Sequence, residues 1–199
     1  MFLNFSNGIK IFFALLIFYS FQGFTQQKSN LEIFYSLVDS AAGELISNIP
    51  SSVNSVNLEL NSGTIYSVFN SRIISALNKQ GIKISEDGNP FKVIFVVEKA
   101  STDYSEIFRS GFLGDYFLTR NLTLKGNYFA AGNDSVNQFS ISYSDSIPLD
   151  EVRSFENFSF PFTHAEIPEE PFFAGLFEPV IAIGTAAAAV ILFFTVRSK

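Results

Sequence analysis

Val93-Ile94-Phe95-Val96-Val97 is a continuous run of β-branched and aromatic residues, and its reading decides the fold. Such a run, bounded upstream by the turn-forming Asp87-Gly88-Asn89-Pro90, predicts a central strand buried on both faces. A strand of that kind needs covering elements, and the flanking sequence supplies them.

Upstream, Ser29-Asn30-Leu31-Glu32 has the spacing of a capping box, with Ser29 at the N-cap and Glu32 three residues on. Leu31, Phe34, Val38, Ala41 and Leu45 then recur at helical spacing until Pro50. Val56, Leu58 and Leu60 alternate with Asn57 and Glu59, which predicts a half-buried strand. A second helix follows, with Ser62 as its cap, an apolar face of Ile65, Phe69, Ile73 and Ala76 or Leu77, and Gly81 where a left-handed residue is wanted. Ile82 to Glu86 is a short alternating strand.

Downstream, Leu118 to Ala131 and Val136 to Ser144 alternate and are joined through Gly132-Asn133-Asp134, a hairpin signature. Pro148 to Asn157 predicts one short helix with Val152 and Phe155 inward. The fold class is therefore α/β or α+β: two early helices on a mixed sheet of about four to five strands, including a C-terminal hairpin.

The two ends of the chain differ from this body. Ile11 to Phe24 is an apolar run following Lys10, which reads residues 1–25 as a signal peptide, with an uncleaved signal anchor as the alternative. Val180 to Val196 carries no charge, and Phe172 to Phe177 extends the run, so residues 172–196 are expected to form a single transmembrane helix. Arg197 and Lys199 make residues 197–199 a cytoplasmic basic tail, and an exported domain at 26–157 would lie on the periplasmic or extracytoplasmic side of the cell membrane. Pro161, Pro168 and Pro171, with Glu166, Glu169 and Glu170, make residues 158–171 an extended Pro/Glu-rich spacer. Ala182, Gly184, Ala186 and Ala188 are small residues placed to let two membrane helices pack.

Composition narrows the function. Residues 26–171 hold ten basic and eighteen acidic residues, a net of −8, which does not attract nucleic acid. With no cysteine, thiolate catalysis, disulfides and iron–sulfur ligation are excluded. His164 is the sole histidine, too little for a zinc site or a triad. Asp145, Asp150 and Glu151 lack the ligand spacing of a calcium loop, and Gly111-Phe112-Leu113-Gly114 lacks the Gly-Lys-Ser/Thr ending of a phosphate loop. Asn121-Leu122-Thr123, Asn133-Asp134-Ser135 and Asn157-Phe158-Ser159 match the glycosylation pattern, which a Ser/Asn-rich chain produces by chance.

The segment Tyr104 to Phe117 reads as a long aromatic connection between strands. Phe108, Arg109, Phe112, Leu113 and Tyr116 within it are a candidate partner contact, since aromatic patches with an arginine mark interface centres. The packed alternative is a helix or turn on the sheet.

Ile65 to Ile84, IYSVFNSRIISALNKQGIKI, resembles the amphipathic helix ending in Gly before a short strand in the small α/β domain of bacterial envelope assembly proteins. These are the curli-secretion pore lipoprotein, the lipoprotein activators of penicillin-binding proteins and the amino-terminal domain of the translocation protein TolB. The resemblance implies a non-enzymatic role in an envelope machine. The expected function is a non-catalytic, membrane-anchored envelope protein, without cofactor or metal, whose exported domain binds a protein partner or forms a homo-oligomer. The alternative is a membrane-tethered enzyme or small-ligand binder with an unrecognised carboxylate site.

Overall fold

The computed structural model describes residues 27–86, 91–111, 114–132, 135–169 and 177–197. The leader expected at 1–25 lies outside them.

Helix α1 (Asn30–Ser47) begins at the expected capping box: the Ser29 side chain accepts from the Glu32 amide, and the Glu32 carboxylate accepts from the Ser29 amide at 2.8 Å. The Ser29 amide, and after it the Ser29 hydroxyl, which also donates to the carboxylate at 2.8 Å, lower the Glu32 pKa. Ile33, Phe34, Leu37, Val38, Ala41 and Leu45 form its buried face.

After strand β1 (Ser55–Asn61) comes a 3-10 turn (Ser67–Phe69) and then helix α2 (Asn70–Lys79). Phe69, not Ser62, stands at the N-cap; the Ser62 hydroxyl instead donates to the Asn70 side chain at 2.8 Å. A turn over residues 63–66 and then the 3-10 turn take up the intervening residues, so Ile65 falls outside the helix and off its apolar face and is exposed. Gly81 adopts φ 79°, and the amides of Gly81 and Ile82 bond back to Asn78 and Leu77, closing the helix in the expected left-handed cap.

Strand β2 (Lys83–Ile84), β3 (Phe91–Arg109), β4 (Tyr116–Ala130) and β5 (Asn137–Pro148) complete a five-stranded sheet in the order β2-β1-β3-β4-β5. β1 is parallel to β2 and β3, while β3–β4 and β4–β5 are antiparallel, so the sheet is mixed as expected. Val93, Phe95 and Val97 are buried under the helices, but Ile94 and Val96 on the opposite face are only half-buried. The central strand is thus covered on one side, because both helices share one core with that face.

β3 is far longer than the apolar run that announced it. Register shifts at Val97/Lys99 and Ser105/Ile107 move the inward positions from odd (Val93, Phe95, Val97) to even (Ala100, Thr102, Tyr104) and back to Ile107. Glu106 takes φ 49° at the second bulge.

Helix α3 (Val152–Phe155) turns Val152 and Phe155 inward as expected, into a second cluster with Tyr104, Leu118 and Ile147. The spacer expected from residue 158 does not leave the domain there. A 3-10 turn (Pro161–Thr163) drives Phe162 into the main core, edge-on to Phe34 at 5.1 Å and tilted against Phe69 at 5.1 Å. An aromatic side chain outweighs the local proline signal when a core pocket is there to receive it.

Helix α4 (Phe177–Arg197) is apolar over all its faces, and from Pro179 to Thr195 its side chains are exposed, Ile181 alone being half-buried. The transmembrane expectation for 172–196 is not met: among the described residues no helix is long and apolar enough to cross a membrane. Residues 172–176, which lengthened the run in the sequence, lie outside the described residues, and α4 starts beside Glu178 and Pro179. Ala182, Gly184, Ala186 and Ala188 are exposed along it, and nothing lies within 4 Å of where a Cβ on Gly184 would stand.

Candidate functional site: a groove beside the outer strand

The hairpin end named by the sequence is built differently from a loop. Tyr104 to Arg109 belong to β3 and Tyr116 to Phe117 to β4, with Phe108 opposite Phe117 and Arg109 opposite Tyr116. Phe108 stacks on Phe117 at 6.1 Å, and the Arg109 guanidinium lies 5.1 Å over the Tyr116 ring while its Nε donates to the Gly114 carbonyl at 2.7 Å. Arg109 therefore clips its own turn. Phe108 is 43% exposed, and Phe112 and Leu113 lie outside the described residues.

A groove of about 640 Å³ runs between α1 and β5. Ile33, Ser36, Leu37 and Ser40 form one wall and Ile141, Ser142, Tyr143 and Asp145 the other, with Gln27 and Lys28 at one end. The α1 wall exists because the helix repeat places 33, 36, 37 and 40 on one stripe, and the β5 wall because Ile141, Tyr143 and Asp145, alternate residues of a strand, share a face, with Ser142 at the rim between them.

A buried polar network holds the two walls at their separation. Arg120 on β4 has no exposed surface, and its guanidinium grips Asp145 on β5 with Nε–Oδ1 at 2.8 Å and Nη2–Oδ2 at 2.6 Å. Its Nη1 donates to Asn30 Oδ1 at 2.7 Å and to the Lys28 carbonyl at 3.0 Å, and the Phe155 ring lies 5.2 Å beneath. Asn30 passes the chain of bonds on to the Tyr104 hydroxyl at 2.9 Å and the Thr163 carbonyl at 2.7 Å. All three guanidinium nitrogens of this buried cation are thereby bonded, through four of its N–H groups, which is what makes the burial tolerable.

Burial pushes the Tyr104 phenol up to about 12, partly offset by the bond from Asn30. Tyr143 donates to Asp145 Oδ2 at 3.2 Å, and its pKa is raised by burial and then by the carboxylate charge. Among the described residues Asp145 is the groove's one carboxylate, and Arg120 neutralises it. Among the described residues no group of three or more His, Asp or Glu side chains gathers to hold a metal.

None of the groove residues except Asp145 stands out in the sequence, where Asp145 belongs to a carboxylate cluster without the spacing of a calcium loop. The one available signal was Gln138-Phe139-Ser140-Ile141-Ser142-Tyr143-Ser144-Asp145-Ser146, an alternation with serine at every second place. That pattern does not say which strand ends at an edge.

No protein-family model and no curated protein matches the chain. Among solved structures, a minor lipoprotein from Acinetobacter baumannii is similar at 14% identity and a TM-score of 0.31, covering 51% of this chain and 70% of that one. Rare lipoprotein B from Shewanella oneidensis is similar at 16% identity and a TM-score of 0.29, covering 46% of this chain and 68% of that one. Both are bacterial lipoproteins, and likeness of this degree carries no argument about function.

Proposed function

We propose that this chain is a non-catalytic, lipid-associated envelope protein whose domain docks an extended protein segment along β5. The observation that carries the reading is the outer edge of β5, which among the described residues pairs only with β4 and lies beside an apolar groove. A strand added there would gain main-chain hydrogen bonds and drop alternate side chains between itself and Ile33 and Leu37 of α1. The carboxylate in the groove is already held by Arg120, which speaks for recognition over acid–base chemistry.

Lipid association rests on α4. Val180, Ile183, Ile191, Leu192, Phe193 and Phe194 are each more than half exposed, a surface that water does not favour and lipid does. The apolar run Ile11–Phe24 supports an exported location.

The test uses the full chain with a synthetic strand of alternating valine and threonine. Slowed amide exchange at Ser140, Ser142 and Ser144 is the expected result. Exchange at these amides that stays fast at millimolar peptide overturns the docking role. Flotation with phospholipid vesicles tests the lipid reading: the full chain should float, and a chain ending at residue 169 should not.

A further inference from the structure

The docking edge is self-complementary, and resting on that reading we propose that its occupant is β5 of a second copy of this chain, paired antiparallel about Ser142 across a two-fold axis. Two hydrogen bonds at one end establish which residues face outward. The Leu149 amide donates to the Tyr116 carbonyl at 2.9 Å, continuing the β4–β5 register with odd-numbered residues bonded to β4. The Ser146 carbonyl instead accepts from the Gln27 side-chain amide at 3.0 Å and so points away from β4. The β4–β5 register runs without a shift from Phe117–Pro148 to Tyr128–Asn137, so Gln138, Ser140, Ser142, Ser144 and Ser146 all turn their N–H and C=O groups outward.

Edges of this length are ordinarily protected by a lysine, a bulge or an internal proline. This one has none of them before Pro148. It is also a gap in the charge of an acidic domain: from Asn137 to Pro148 the one ionised group is Asp145, which Arg120 holds. The repulsion that two copies with a net of −8 over residues 26–171 would otherwise feel is weakest here.

With Ser142 opposite its own counterpart, Ser140 lies opposite Ser144 of the second copy on the open face. On the helix side Ile141 lies opposite Tyr143, a β-branched and aromatic pair of the kind that stabilises antiparallel strands. No like charges meet. The two sheets become one, the two grooves adjoin, and the symmetry closes the assembly at two chains.

The absence of cysteine allows the register itself to be read. Full-length chains carrying Ser140→Cys, Ser142→Cys or Ser144→Cys are oxidised in mild detergent. Directly opposed bonded residues stand about 5.5 Å apart at Cα, within disulfide reach, whereas Ser140 and its own counterpart are roughly 13 Å apart. Ser142→Cys should therefore cross-link with itself. Ser140→Cys and Ser144→Cys should cross-link only when mixed.

Ser142→Lys sets two like charges across the axis and should weaken the dimer at least tenfold in sedimentation. A native chain that is monomeric at tens of micromolar overturns the inference, as does cross-linking in any other pattern. A synthetic peptide copying Gln138 to Pro148 separates the two failures. If the chain is monomeric but the peptide slows exchange at Ser140, Ser142 and Ser144, the edge docks strands and the second copy is wrong. If the peptide slows nothing either, the docking reading falls with it.

Discussion

Arg120 and Asp145 form a two-pronged ion pair in which the guanidinium has no solvent exposure while the carboxylate side chain keeps 21%. The asymmetry means that Arg120 has nowhere to turn if its partner is lost. Asp145→Ala should cost about 3 to 5 kcal/mol in urea unfolding, the range for stranding a buried charge. Replacing the pair together, Arg120→Met with Asp145→Ala, should recover part of that loss. Equal losses in the single and double variants would show that the attraction between the two contributes nothing.

Tyr104 makes alkaline stability diagnostic. Its pKa is raised to about 12, chiefly by burial, so the folded state holds the phenolic proton more tightly than the unfolded chain, whose ordinary value is 10. The sign follows: this contribution is complete below pH 10 and is lost as pH climbs towards 12. Tyr104→Phe should flatten the fall in stability across that window, read by urea titrations at pH 9 to 11.5. It should also lower stability at neutral pH by about 1 kcal/mol, because Asn30 loses an acceptor.

Phe162 tests whether the stretch after α3 belongs to the core. It is 5% exposed and touches Phe34, Tyr66, Phe69 and Phe160, and its carbonyl accepts from Thr102 at 2.8 Å. Phe162→Ala should cost about 3 to 5 kcal/mol, as for other buried aromatic truncations. Phe158→Ala, at a ring 64% exposed, should cost far less. Matching thermal melts for the two variants would return the segment to a spacer.

Gly126 on β4 lies opposite Val97 of β3 and Phe139 of β5. A Cβ there would meet the Val96 carbonyl oxygen at 2.1 Å and the Phe139 ring at 2.6 Å, and the backbone oxygen cannot swing aside. Gly126→Ala should destabilise by about 1 to 3 kcal/mol through overpacking. Phe139→Leu in the same chain removes the ring and should relieve part of the loss, which a thermal melt of the double variant would show.

The sequence alone determined what depends on near neighbours. The Ser29 and Glu32 cap, the Gly81 ending of α2, the β4–β5 hairpin and the inward Val152 and Phe155 were all legible, because each is a local periodicity or a local hydrogen bond. The length of β3 was not: two bulges shift the phase of its alternation, so Tyr104 to Arg109 looked like a connection when it was strand. Nor was the burial of Arg120, which reads as a surface charge until Asn30, Asp145 and Phe155 converge on it from three other elements. Phe162 likewise needed a pocket made by α1 and the turn before α2. Whether the serine-rich strand β5 lies inside the sheet or at its rim is a fact about strand order, and strand order is decided by contacts between residues far apart in the chain. The groove and its open edge exist only at that level.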